Sequence, residues 1–443
     1  MSISPFDSTL YRDLWNDAEI AWRFGDAAEL DSMMRVEAAL ASAQAELGLI
    51  PTESADAIVS AINSLSIDAA GLSSTTAADG VPVPAMLSAI RAEINNPDNE
   101  QYLHWGATSQ DIIDTALILR LREIGDLVGS RLQTLLTKLA DFAQTHATTP
   151  MVARTRRQAA TPTSFGLVIV GWGAPLLNAL EALAQLKPRL LRVSLGGASG
   201  NANAFGERAD ELRAAFAAEL GLANSDLSWH SDRSALVEFS SLLTRISGAL
   251  AKIGEDCILG AQTEVGELTL LQSGGSSTMP HKANPVIAES LVTLFQLSSA
   301  LNAAMQQALL HRQQRDGASW SLEWHALPQI CMASGRALQL AHSLVSGLQP
   351  DVSRMLENVQ GAYGLAFAEA VSFRLSEIMP RALAQQRVAE LCAEAQRQQR
   401  GLQELVTSVY PAVDWGEVFA AENQLGDSEQ QVAAFAARVG ELG

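Results

Sequence analysis

From residue 274 to 285 the chain reads Gly-Gly-Ser-Ser-Thr-Met-Pro-His-Lys-Ala-Asn-Pro. The nine residues from Ser276 to Asn284 hold two serines, a histidine, a lysine and an asparagine. A flexible connector between helices would explain the glycines and prolines, and that is the plain alternative. It would not explain five such side chains together. Lysine and asparagine donate to carboxylates, and a hydroxyl or an imidazole can move a proton. The expected chemistry is proton transfer on a small acid, with Ser276, Ser277, His281, Lys282 and Asn284 as the candidate groups.

Such a loop needs rigid elements on both sides. Leu236, Phe239, Leu243, Ile246, Leu250, Ile253 and Cys257 precede it at alternating steps of three and four, a 3.5-residue period that calls for near-parallel helix packing. Ile287, Leu291, Leu294, Leu301, Met305 and Ala308 repeat the pattern after it, with Ser298 as a polar interruption. Similar helices are expected over about 110–147, 163–193 and 325–347, whereas alternating strand patterns are almost absent. Helices of about 25 to 35 residues would each run roughly 40 to 50 Å. The expected fold is therefore all-α, an elongated central bundle over 109–349 between smaller helical domains at 1–108 and 350–443. Ser64 to Pro84 reads as a loop-rich break, and Pro350 to Ser353 as a helix start after a turn. Several helices carry apolar residues on more than one face, so a closed homo-oligomer is expected to cover them.

Charge and cysteine content exclude other classes. Lys and Arg number 30 against 49 Asp and Glu, a net charge of -19, and no basic block offers a footprint for nucleic acid or an anionic membrane. Cys257, Cys331 and Cys392 lack ligand or disulfide spacing, which fits a reducing cytoplasm and no metal. Residues Met1 to Asp7 lack a basic, then apolar, leader pattern, and the apolar stretch Leu167 to Leu186 contains Asn178 and Glu181, so it reads as a buried helix. No nucleotide-binding glycine fingerprint occurs, and no cofactor is expected.

The segment Gly275 to Pro285 resembles the signature loop of the fumarase, aspartase and adenylosuccinate lyase superfamily. Two further stretches match in the same order: His104-Trp-Gly-Ala-Thr-Ser-Gln-Asp-Ile-Ile-Asp-Thr115, and Arg154-Thr155 through Gln158 to Gly166. That resemblance implies homotetramers with a shared helix core, each site drawing one region from each of three subunits. Within the superfamily, Asp79 to Pro84, Arg315 to Trp324 and Gly364 to Ala370 resemble the bacterial 3-carboxy-cis,cis-muconate cycloisomerases of the β-ketoadipate pathway. Trp320 and Trp324, four apart on a helix face, have simple core packing as their alternative.

What the resemblance implies can be stated chemically. A cycloisomerase closes a lactone when one carboxylate of a tricarboxylate diene attacks an alkene carbon and a proton reaches the neighbouring carbon. The nucleophile, with a pKa near ~4, is already ionised and needs no base. Amine-releasing lyases need a second proton donor, and commonly read Thr-His in the second region where this chain reads Thr155-Arg156. Related cycloisomerases often carry a histidine at Ala159 and a glutamate at Gln314. The family serine corresponds to Ser276, with Ser277 beside it, as proton donor; loop N–H groups and Lys282 would stabilise its alkoxide. His104, Thr108, Ser109, Arg154, Thr155, Arg156, Gln158, His281, Lys282, Asn284 and Arg315 are the implied substrate-binding residues, with Gly196 to Gly200 supplying backbone donors. His230, without motif context, defaults to a surface or core role. Two alternatives remain, a fumarate-releasing lyase of the adenylosuccinate or argininosuccinate type and an inactive helical scaffold.

Overall fold

Long stretches of helical periodicity become long helices. The structure, a computed structural model, describes residues 4–271, 274–275, 279 and 282–442; Ser276, Ser277 and His281 lie outside the described residues. Five long helices span Ser109–Thr145, Phe165–Leu190, Ser234–Gly260, Val286–Gln307 and Gly317–Ser346. The all-α reading holds. Every position of the 236–257 seam is buried, from Leu236 at 1% exposure to Cys257 at 0%. Burial pushes the Cys257 thiol up to about 12, so it packs as a small apolar group. Ser298 is enclosed, with no partner for its hydroxyl among the described residues.

Three local expectations change. The last long helix starts at Gly317, not near 325, because Asp316 caps it by accepting from the N–H groups of Ser319 (3.2 Å) and Ala318 (2.9 Å). The supposed loop at 64–84 contains a helix, Ala69–Asp79, capped by Asp68 and closed by Gly80 at φ 75°. An antiparallel hairpin, Pro150–Thr155 with Gln158–Ser164, sits where strand signals looked absent. The helix start after Pro350 is found, at Val352, with Asp351 accepting from the Arg354 N–H at 2.9 Å.

Contacts divide the chain into two compact units, each assembled from three separate stretches. The first comprises Met1–Ser130, Ala179–Ser247 and Leu294–Ala337. Its core gathers Leu30, Met33, Val36 and Leu40 with Ile58, Met86, Ile112, Val193 and Phe216. The second comprises Arg131–Asn178, Gly248–Thr293 and Leu338–Gly443. There Val371, Leu375, Val388, Leu391, Leu402 and Val406 form a C-terminal helical core, and a Cβ on Gly254 would lie 2.6 Å from the Ala288 carbonyl, so glycine sets that close helix approach. Phe165–Leu190 and Val286–Gln307 are apolar and long enough to pass as membrane spans by composition alone, yet only 39% and 28% of their most apolar windows are buried.

Deep in the first unit, Arg233 lies between two acids. Its fork reaches Asp114 at 2.6 and 2.9 Å and Glu323 at 2.8 and 2.7 Å, and all three side chains are enclosed. Burial opposes charge on Arg233, but the two carboxylates outweigh it and hold the guanidinium protonated. Glu323 is pushed up by burial and more than pulled back by Arg233, ending below the usual carboxylate range. Replacing Arg233 by methionine leaves two buried anions facing each other. Arg233→Met is expected to lower the unfolding free energy by roughly 3–5 kcal/mol, measured by denaturant titration; a loss below about 1 kcal/mol would show that the acids find other partners.

Candidate active site

The helix Ser109–Thr145 brings its first turn to a convergence point in the first unit. Asp111, fully buried, accepts from the N–H groups of Thr108 (3.1 Å), Gly196 (2.8 Å) and Gly197 (2.9 Å), from Ser194 Oγ (3.2 Å), and lies 2.7 Å from His230 Nε2. One carboxylate therefore ties the Thr108–Ser109 turn to the Gly196–Gly200 segment. One expectation is corrected here. The Gly196 and Gly197 N–H groups are spent on Asp111, because a buried anion takes the nearest donors. His230, expected at the surface or in the core, is in the core, where it is the partner of that anion.

The approach to this turn is tightly built. A Cβ on Gly106, at φ 75°, would strike Phe205 at 2.5 Å, and His104 holds a left-handed φ of 64°. His104 Nδ1 lies 2.6 Å from Oε1 of Glu37, whose side chain is fully enclosed. Burial disfavours a charged ring, but Glu37, with a smaller contribution from Asp111, outweighs both burial and Arg91 and lifts His104 above the ordinary imidazole value. Arg315 joins the same group, its Nε donating to Gln110 Oε1 at 2.9 Å and a terminal nitrogen reaching the Ala198 carbonyl at 3.2 Å. Trp320 is anchored too, its indole N–H donating to Asp114 at 3.1 Å. His104, Thr108, Ser109 and Arg315 thus belong to one constellation.

The second unit holds the other candidates. Arg154 forms a two-pronged ion pair with Glu267 at 2.7 and 2.8 Å, and Asn358 donates to the same carboxylate at 2.8 Å. Thr155 pairs with Gln158 at the end of the hairpin, leaving Arg156 and Arg157 as its two turn residues, at φ 52° and 67°. Asparagine and glycine favour such a turn, and non-glycine residues in this region each cost about 1 kcal/mol or more. Both arginines are exposed, and neither makes an ion pair among the described residues. Farther along, Gly274 pairs with Asn284 and Gly275 with Ala283, a two-rung ladder that closes the base of the serine loop. Lys282 is exposed beside it. Among the described residues no group of three His, Cys, Asp or Glu is arranged to hold a metal ion.

Residues 16–296 match the family model described as Lyase. The chain belongs to this lyase family. A 3-carboxy-cis,cis-muconate cycloisomerase of Pseudomonas aeruginosa is 38% identical over 384 residues, covering 86% of this chain and 84% of that protein. A nitrosuccinate lyase of Streptomyces davaonensis is 35% identical over 397 residues, 86% of this chain and 83% of its own. The crystal structure of a 3-carboxy-cis,cis-muconate lactonizing enzyme from Pseudomonas putida superposes with a TM-score of 0.91 at 33% identity, covering 98% of this chain and 99% of that one.

In this member of the lyase family, sequence reading passed over Glu37, Gln110, Asp111 and His230. A signal existed for two of them. Asp111 shares the head of its helix with the apolar pair Ile112 and Ile113, and Glu37 occupies the buried stripe of Met33, Leu40 and Gln44. An acid on a core-facing stripe must be paired. Asp111→Asn turns an NH2 group toward other donors and is expected to cost about 2–3 kcal/mol and to abolish turnover, read by thermal unfolding and activity together. Full activity at unchanged stability would mean the Gly196–Gly200 segment is held by something else.

Proposed function

We propose that this chain is a cycloisomerase that converts 3-carboxy-cis,cis-muconate to 4-carboxymuconolactone. The observation that carries the reading is the 38% identity, over most of both chains, to a protein of that activity. One substrate carboxylate oxygen bonds to an alkene carbon, the π pair moves to the adjacent carbon, and that carbon takes one proton. Product and substrate are isomers, so no co-reactant is needed. Ser276 is the proposed proton donor, with Ser277 beside it. Lys282, Asn284, Thr108 and Ser109 hold substrate carboxylates. Arg156 is the more available clamp, because the Arg154 fork is already filled by Glu267. Thr155 and Gln158 frame that tip, and His281 is a further proposed substrate-binding residue.

The proposal includes a homotetramer in the cytoplasm, free of cofactor and metal, with the central bundle 109–349 flanked by domains 1–108 and 350–443. Supporting it, Ile287, Val292, Phe295, Leu297 and Leu301 on Val286–Gln307 keep part of their surface exposed in the single chain, and a symmetric partner would cover such a face. A second reading, elimination from a substituted succinate, is favoured by the 35% identity to the nitrosuccinate lyase. Arg156, where amine-releasing members carry histidine, counts against release of an amine.

Loss of diene absorbance on adding 3-carboxy-cis,cis-muconate tests the activity. Steady bleaching with formation of a lactone is expected; no bleaching, with fumarate released from a substituted succinate instead, would establish the second reading. Two variants separate the roles. Ser276→Ala is expected to lower kcat by about 10²–10⁴-fold with substrate binding nearly unchanged. Arg156→Gly relieves a left-handed turn residue, so its melting temperature should not fall, while KM rises by about 10–100-fold. Normal KM in that variant would remove Arg156 from the site.

A further inference from the structure

Glu37 and Gln44 stand seven residues apart on the helix Asp26–Glu46, both buried at 1% exposure. Seven residues bring two side chains to the same face. From there Glu37 takes the ring of His104, and Gln44 Nε2 donates to the Trp105 carbonyl at 2.7 Å. One helix face therefore grips a side chain and the adjoining backbone, immediately before Thr108 and Ser109.

The geometry assigns a protonation pattern to the ring. An ionised carboxylate only accepts, so with Glu37 ionised the 2.6 Å contact places hydrogen on Nδ1. No bond to Nε2 is found among the described residues. In a neutral ring that atom is a lone pair, which repels a substrate carboxylate. In a charged ring it is a donor. We infer that Glu37 is a positioning residue that, with Gln44, presents His104 as a charged hydrogen-bond donor to a substrate carboxylate, and not as a base. This rests on the reading of the substrate as a polycarboxylate. The charged groups facing the ring are Glu37 on its own supporting helix, Asp111 on Ser109–Thr145 and Arg91 on Val83–Ile94, and the two acids prevail over Arg91. Oε2 of Glu37 is buried without a partner among the described residues, so among them the ring is the one group this carboxylate bonds.

The sign follows from linkage. A group raised in the folded protein favours folding and anion binding while protonated, and loses both as pH rises through its folded value. The test is an NMR titration of the His104 ring, its signals identified by their loss in His104→Gln. In the wild type the midpoint should lie above the ordinary imidazole value, and tricarballylate, a saturated tricarboxylate, should raise it further. In Glu37→Gln the midpoint should drop by about one unit or more, and KM for the tricarboxylate diene should rise about tenfold between pH 6 and 8 while kcat stays within about twofold. A midpoint that ignores tricarballylate overturns the inference, as does a Glu37→Gln protein titrating like wild type or losing kcat at constant KM. If Glu37→Gln does not fold, the wild-type titration with tricarballylate decides alone. Absence of diene turnover together with a ring that responds to tricarballylate refutes the cycloisomerase reading and leaves the charged donor in place.

Discussion

Burying Asp111 and Asp114 one turn apart, at the head of the helix Ser109–Thr145, sets the terms for the first unit. Neither side chain touches solvent, and a carboxylate there is tolerable only if its oxygens find donors. The helix N-terminus helps, since its free N–H groups favour negative charge. The remainder comes from distant parts of the chain. Asp111 recruits the Gly196–Gly197 backbone, Ser194 and His230. Asp114 recruits Arg233, Gln110 and Trp320. Gln110 in turn receives Arg315. The candidate substrate-binding turn at Thr108 and Ser109 is thereby fixed from behind by these paired groups.

Helical character was legible because burial imposes periodicity on sequence. The seam from Leu236 to Cys257 could be read residue by residue, and each of its positions is enclosed. Identity was legible through the composition of three short regions. Pairing was not, because it depends on proximity between residues far apart in the chain. Arg233 and Asp114 are 119 positions apart, and Arg154 and Glu267 are 113 apart. No local pattern announces that Arg154 already has a carboxylate, or that Gly196 and Gly197 face inward. The helix Ala69–Asp79 was hidden for a different reason: it buries none of its residues, so it leaves no apolar stripe to read.

In the second unit the hairpin combines a firm base with a strained tip. Arg154 is locked to Glu267, which Asn358 also holds, and Val152 is buried beside Val359 and Phe367. Beyond that anchorage Arg156 and Arg157 adopt backbone angles that arginine rarely takes. Strain of this kind persists only where surroundings impose it. A glycine would relax the turn, yet would carry no charge. The pair of arginines is thus better explained by what the tip presents than by what the turn prefers.

The interleaving of the two units has a consequence for synthesis on the ribosome. The first unit needs residues as late as Ala337, and the second needs the chain from Leu338 onward together with pieces beginning at Arg131. When Asp114 emerges, its partner Arg233 lies 119 residues in the future, and the Glu323 that completes the triad lies 90 further on. Neither core can close as an early autonomous module. The nascent protein therefore carries apolar helices and unneutralised acids through most of its translation, a state in which chains of this size form collapsed intermediates and self-associate. Building two cores from alternating lengths of chain thus lengthens the time for which apolar surface stays uncovered during synthesis.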